Sequence, residues 1–427
     1  MNAHRYFAYT LARICLQSPW EREPMAEAVE LSLQGQGPWV AALVRQILHR
    51  FPRRPDLKSL FDFLRQSEGL AAIRLRHQPR ICLYPLTWPK VVLPPSLPAL
   101  DSAGALGDWL RLAPADLDWF ADRSKRAAGH DAPKLRHYHV TTIPKRQGGM
   151  RLLEVPKSRL KQIQRRIHDD ILLQLPLHSA AQGFARGRTP VAHARLHVGQ
   201  AVVLRFDLRD CFLHVHGGRV FQAFRALGFP DDVSRLLTGL CTHRLPHRLS
   251  AQLSLDEAQQ QKARQNHLPQ GAPSSPLLNH FALRGVDVRL SAYASALGAN
   301  YSRYADDLVI SGGGHLHHSF RTIEARVGAI LLEEGFALNF RKSRCVTASQ
   351  RQQVTGVVVN RQLNIPRVQF DALKAELYNC VKQGWMSQRP GNVVDYRAQL
   401  LGRIGWVMQV NPQRGAKLRA LFERIDW

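Results

Sequence analysis

The sequence predicts an α+β fold, on three observations. Apolar residues recur at helical spacing across residues 1–80. From 137 onward, short apolar runs typical of strands alternate with helical stretches. Near the C-terminus, "QLLGRIGWVMQVNPQRGAKLRALFERI" has helical spacing again. The 427 residues are 45% hydrophobic and 22% charged. That is the balance of a globular chain with a proper core, and the length suggests roughly two to four domains.

The elements follow in order. "MAEAVELSLQ" and "PWVAALVRQILHRF" read as helices, and "DLKSLFDFLR" as another with Asp56 as its N-cap. "LYPLTWPKVVLPPSLPAL" is too rich in proline for a regular helix, which places a linker at about 84–100. Residues 1–100 are therefore expected to form a helical N-terminal extension. "SAGALGDWLRLAPADLDWFADRSKRA" is a compact helical piece. In "PKSRLKQIQRRIHDDILLQL", Pro156 suits a first turn, and Leu160, Ile163, Ile167 and Ile171 form one apolar stripe. Lys161, Arg165 and Arg166 lie off that stripe, either as phosphate contacts or as a solvated face. Residues 244–267 are polar, and a partly ordered surface insertion is expected there.

The 59 Lys and Arg residues against 33 Asp and Glu leave a net charge of +26. Such an excess marks a polyanion binder more readily than a merely soluble basic protein. It is spread evenly and singles out no one part. Cys15, Cys82, Cys211, Cys241, Cys345 and Cys380 lie far apart with no Cys-x-x-Cys pair. Their spacing fits reduced cytosolic thiols, not a disulfide framework or a zinc ribbon. There is no signal-peptide pattern and no long apolar run, so a cytoplasmic protein with no membrane partner is expected.

In so basic a chain, adjacent carboxylates need a reason. "YSRYADDLVISG" reads as a β-hairpin with Asp306 and Asp307 at its tip. "AVVLRF" reads as a strand covered on both faces, ending in Asp207. If strand and hairpin are neighbours in one sheet, three carboxylates converge. They repel unless divalent cations hold them, and hard oxygen ligands select Mg2+. Two Mg2+ ions roughly 3.5–4 Å apart would activate an attacking hydroxyl and stabilise a leaving oxygen in phosphoryl transfer. Asp is common in turns, so the pair alone would be ordinary; the flanking strand decides against that reading. "HLPQGAPSSPLLNH" adds a stiff loop with Gln270 and Gly271. It is followed by a helix with Pro276 near its start, a geometry that can border a nucleotide site.

Taken together, these motifs resemble the palm of a reverse transcriptase. "FDLRDCF" is similar to motif A, "LPQGAPSSP" to motif B, "YADD" to motif C, and "EGFALNFRKSR" to motif D with Lys342 as its basic residue. "HVTTIPKRQGGMRLLEVP" resembles the fingers hairpin, where Lys145 and Arg151 would face the incoming triphosphate. The resemblance covers about 137 to 427. It implies a right-hand polymerase fold, with a lead-in and fingers at 101–200, a palm at 201–365 and a helical thumb at 366–427. It implies that Asp207, Asp306 and Asp307 bind the metals. Phe212 would be the steric gate against a 2′-OH, Gln270 and Gly271 would line the dNTP site, and Tyr304 would lie beside the primer terminus.

The chain looks most like a bacterial retron enzyme. "AQGFARGRTPVAHARLH" resembles the retron-typical NAxxH region, with His193 where the family has Asn. "RQQVTGVVVN" carries the retron-like VTG at Val354, Thr355 and Gly356. By this resemblance His193, Arg195, His197 and the VTG residues contact RNA. His193 and His197 are also spaced like helical metal ligands, but no acid or thiol sits nearby in sequence, so RNA contact is preferred. A retron enzyme copies a structured non-coding RNA into multicopy single-stranded DNA, primed from a guanosine 2′-OH. It acts in anti-phage defence with an effector, here expected as a separate chain. Two alternatives stand beside this: another defence-type reverse transcriptase with different priming, and an inactive RNA-binding scaffold. An intron-type enzyme is expected to carry a maturase segment after the thumb, and none is read here. Residues 1–100 serve either as packing support or as a surface for RNA or a partner protein.

Overall fold

The computed structural model describes residues 3–33, 39–77, 97–122, 133–145, 148–185 and 187–427. Most of the linker expected at 84–100 lies outside them, as does Cys82. The chain divides into two compact units, one of residues 1–90 with 329–336, the other of 91–328 with 337–427.

In the first unit the described helices are Ala3–Gln17, Arg22–Ser32, Val40–Arg50, Leu57–Gln66 and Glu68–His77. Phe7, Leu11, Met25, Val29, Val44, Ile47, Leu60 and Leu64 form their shared core. Asp56 is the N-cap the sequence suggests: its carboxylate accepts from the Lys58 and Ser59 backbone N–H groups at 2.9 and 3.0 Å. Capping of this kind satisfies donors that a helix start leaves unpaired.

The second unit opens with helices Ala103–Leu110 and Pro114–Phe120 and then a hairpin of β1 (Tyr138–Pro144) and β2 (Met150–Pro156). Pro156 ends β2 instead of opening the next helix, whose N-cap is Lys157. A strand end needs no ladder donor there, so proline is tolerated. The helix Ser158–Asp170 buries Leu160, Ile163 and Ile167, as the stripe predicts.

The central sheet holds β3 (Val202–Asp207), β4 (Asn300–Tyr304), β5 (Asp307–Gly312) and β6 (Arg344–Thr347). Their order is β4-β5-β3-β6, antiparallel throughout. β3 lies inside the sheet, and Val202, Val203, Leu204 and Phe206 are all but fully buried. That explains its continuous apolar run. The motif B helix breaks at Leu283 into Ser275–Ala282 and Arg284–Ala296.

Two further expectations change in this unit. Residues 244–267 are not a loose insertion but carry helices His247–Gln252 and Glu257–Ala263. Asp256 and Gln259 form a reciprocal capping box, and Leu245, Leu255 and Ala263 pack with Leu152 and Leu213. Further on, β7 (Gln353–Val354) and β8 (Val357–Val358) form a two-residue hairpin turn at Thr355 and Gly356. Val354 is core, packed with Val191 and Ala194 of the helix Pro190–Arg195, and the Thr355 hydroxyl donates to the Pro190 carbonyl at 2.9 Å. The two retron-like motifs therefore build one substructure. After it come helices Arg367–Gln383, Tyr396–Val410 and Pro412–Phe422, joined through Leu373, Leu377, Leu400, Ile404, Leu418 and Phe422.

Candidate active site

β3 and β5 are in register so that Asp207 is paired directly with Asp307. Tyr304 pairs with Asp307 across the β4–β5 hairpin, leaving Ala305 and Asp306 as the turn. Ala305 has φ of 57°, left-handed backbone in a residue with a Cβ. Such a conformation costs about 1–3 kcal/mol and persists only where the surroundings hold it. Here the Arg303 Nη1 donates to the Ala305 carbonyl at 2.9 Å, and the Leu208 N–H donates to the Asp306 carbonyl at 3.1 Å. The turn is thus fixed by the buried Arg303 side chain and by the backbone just past the end of β3.

Electrostatics at this sheet end are unbalanced. Burial raises the Asp306 carboxyl above its ordinary range, Asp207 adds to the push, and Lys342 and Arg151 oppose it. Burial takes Asp307 up to about 6, with Arg205 opposing and Asp306 and Asp207 reinforcing. The Asp207 carboxylate accepts from Lys342 Nζ at 3.0 Å and from Asn339 Nδ2 at 3.3 Å. Among the described residues, no three His, Cys, Asp or Glu side chains stand close enough to hold one ion as placed. The donor set nonetheless suits a hard divalent cation: three carboxylates at one sheet end, two of them pushed toward protonation by burial first and by their neighbours' charge second, a penalty that a cation would relieve.

Asp207 and Asp306 open onto a cavity of about 980 Å³, and Lys145, Arg151, Phe212, Gln270 and Lys342 line it with them. Seven residues expected at a nucleotide or metal site therefore share one cavity. Asp307, Gly271 and Tyr304 stand just outside its lining. Lys145 does not point freely into the space: its ammonium donates to Asp210 Oδ1 at 2.8 Å. Asp210 also accepts from Gln259 Nε2 at 3.1 Å. Although burial opposes its charge, these donors keep its carboxyl below the ordinary range. Gly271 has φ of 131°, and a Cβ there would stand 3.0 Å from the Glu154 carbonyl oxygen, so only glycine fits this close approach. Tyr304 stacks on His193, with ring centroids 5.7 Å apart.

His193 and His197 do not fit their expected role. Both side chains have no solvent exposure. His193 Nε2 and His197 Nε2 reach the Ser302 hydroxyl at 2.7 and 2.6 Å, and His197 Nδ1 reaches Ser311 at 2.7 Å. Burial lowers their pKa to about 3 and about 4, so both rings are neutral pins between the helix and the sheet. A neutral ring without exposed surface offers RNA nothing to touch. Arg195 on the same short helix is exposed, as is Gly356 in the neighbouring turn.

Sequence reasoning passed over Asp210, Gln259, Asn339, Arg303 and Glu154. Only Gln259 had a local signal, the Asp-x-x-Gln spacing of a capping box. The others depend on partners far away in sequence.

The comparison with known families decides the matter of kinship. A family model described as "Reverse transcriptase (RNA-dependent DNA polymerase)" matches residues 143–359, about half of the chain. The chain belongs to the reverse transcriptase family. The chain is 36% identical over 294 residues to the Retron Mx65 reverse transcriptase of Myxococcus xanthus, covering 67% of the chain and 64% of that protein. It is 34% identical over 346 residues to the Retron Mx162 reverse transcriptase of the same organism, covering 77% and 68%. The Retron Ec86 reverse transcriptase of Escherichia coli is 29% identical over 265 residues, covering 58% and 75%. The chain thus spans about two thirds of the length of the two Myxococcus proteins, and the retron-type resemblance holds. Family membership brings the right-hand polymerase fold.

Proposed function

We propose that the chain is an RNA-directed DNA polymerase of retron type. The observation that carries this reading is the in-register pairing of Asp207 with Asp307, with Asp306 at the turn beside them, at the mouth of a cavity walled by Lys145, Arg151 and Lys342. Asp207, Asp306 and Asp307 would hold two Mg2+ ions, which when bound supply activation of the attacking hydroxyl and charge stabilisation at phosphorus. Lys145, Arg151 and Lys342 bind and orient the triphosphate as cationic donors. Phe212, half-buried in the cavity wall, excludes a ribose 2′-OH. Gln270 and Gly271 border the base, and Tyr304 supports the primer terminus.

The template is a structured non-coding RNA, copied into multicopy single-stranded DNA from an RNA 2′-OH, as part of an anti-phage defence system with a separate effector. The similarity to three retron reverse transcriptases supports the retron assignment. Arg195 and the turn at half-buried Thr355 and exposed Gly356 are the RNA contacts of the retron-like region, since His193 and His197 are enclosed. Among the described residues no helix is long and apolar enough to cross a membrane.

The test is to express the chain with its native upstream DNA, extract small nucleic acids, treat them with RNase and a debranching enzyme, and sequence them. A discrete single-stranded DNA that shifts on debranching and disappears with Asp306→Asn establishes the reading. Absence of such DNA, with purified protein still extending a primer on RNA, keeps the polymerase and rejects the retron mode.

A further inference from the structure

Glu154 lies on β2 with its side chain 1% exposed, in the wall of the same cavity. The reaction as described gives it no part. Its Oε1 accepts from His243 Nδ1 at 2.6 Å and its Oε2 from His267 Nε2 at 2.8 Å. His267 also turns Nδ1 to the Gln265 carbonyl at 2.8 Å. Both ring nitrogens of this fully buried histidine face acceptors, so the ring carries both protons and is a cation. The electrostatics agree. Burial works against the charge on His267, yet Glu154 holds its pKa above the ordinary value. Burial likewise opposes ionised Glu154, yet His267 and His243 hold it down at about 2.

The two histidines are the closing pair of the connection 244–267. The His243 N–H donates to the His267 carbonyl at 2.9 Å, and the His267 N–H donates back at 3.0 Å. Gln270 follows three residues later. Its carbonyl accepts from the Glu154 N–H at 2.9 Å, and Gly271 sits against the Glu154 carbonyl. One residue therefore ties the connection by its side chain and the motif B loop by its backbone. Helix Glu257–Ala263 of that connection also brings Gln259 to Asp210 and to the Met150 carbonyl.

We propose that Glu154 is a positioning residue for nucleotide binding: with His243 and His267 it fixes the Gln270–Gly271 loop against β2 and so sets the affinity for dNTP. The proposal rests on the reading of Gln270 and Gly271 as nucleotide-site residues in an active polymerase. Free in solution, such a loop would have to be ordered by the nucleotide itself, at the expense of affinity.

The test is steady-state dNTP incorporation by the purified full chain on an RNA template with an annealed primer. Folded wild-type protein that incorporates nothing overturns the polymerase reading and this proposal with it. Given wild-type turnover, Glu154→Gln is expected to raise the KM for dNTP on the order of tenfold, as one charge-assisted hydrogen bond is lost. Its kcat should stay within about twofold, since no group at the reacting atoms is touched. Thermal melting followed by circular dichroism shows whether the variant folds. If it does not, His243→Ala removes the less enclosed partner and should raise KM roughly threefold. The double variant Glu154→Gln/His267→Gln removes the buried charge along with its partner and should return KM toward the wild-type value. A folded Glu154→Gln or His243→Ala protein with unchanged KM, or with a loss confined to kcat, overturns the proposal: the cluster would then be scaffold only.

Discussion

Arg303 and Asp287 form a two-pronged ion pair with no solvent exposure on either side chain, Nε to Oδ1 at 2.8 Å and Nη2 to Oδ2 at 2.6 Å. The Tyr301 hydroxyl donates to the same carboxylate at 2.9 Å. The remaining Arg303 nitrogen holds the Ala305 carbonyl, so a buried charge pair braces the turn that carries Asp306. Removing one partner from such a pair leaves an uncompensated charge. Asp287→Asn is expected to destabilise the fold by about 3–5 kcal/mol. Urea denaturation measures this, and a loss well under 1 kcal/mol would show that the brace is not needed.

The carboxylate at Asp307 gives a pH dependence of defined sign. Its folded pKa of about 6 lies above the ordinary 3.8, so the folded state holds this proton more tightly than the unfolded chain. The resulting penalty is absent well below 3.8, grows as pH rises, and is complete above about 6. Asp307→Asn should therefore stabilise the metal-free protein at pH 8 and have little effect at pH 3.5. About 1 kcal/mol is expected, less than full burial would give, because 37% of the Asp307 side chain still meets solvent and is screened by it. Equal melting shifts at both pH values would contradict the account.

Thr355 takes φ of 47° and Gly356 φ of 82° in the turn between β7 and β8. Left-handed backbone is unusual for a β-branched residue, and here the hydroxyl bond to Pro190 offsets part of that strain. Thr355→Val keeps the branch and loses the bond, at a cost of about 1–2 kcal/mol. Thr355→Asn, which accepts this backbone region more readily, should cost less. Chemical denaturation of both variants separates the two effects.

The enclosed histidines and the exposed arginine of the retron-like helix should behave differently toward RNA. Arg195→Ala is expected to reduce the slope of log affinity against log salt by about one, the loss of one phosphate contact. His193→Ala should lower the melting temperature and leave that slope alone. Fluorescence anisotropy with the cognate RNA over a salt series reads both; a slope change in His193→Ala would restore an RNA contact to that ring.

These residues also show what sequence can reveal here. Asp207 was legible because an apolar run ending in an acid is unusual, and Asp306 with Asp307 because two acids at a hairpin tip are costly in a basic chain. His193 and His197 were not, since a four-residue helical spacing looks the same whether it faces solvent or core. The Glu154 cluster joins residues 89 and 113 apart, which no local pattern encodes. The order in 244–267 was masked by its polar composition, although the Asp256 and Gln259 spacing announced a helix start.

The most direct test of the central claim is primer extension on an RNA template with purified protein, dNTPs and Mg2+, run beside Asp207→Asn and Asp306→Asn. The account predicts DNA synthesis by the wild-type chain, loss of it in both variants, and RNA binding preserved in all three. Synthesis that survives either substitution, or a folded wild-type protein that binds RNA and makes no DNA, would contradict it.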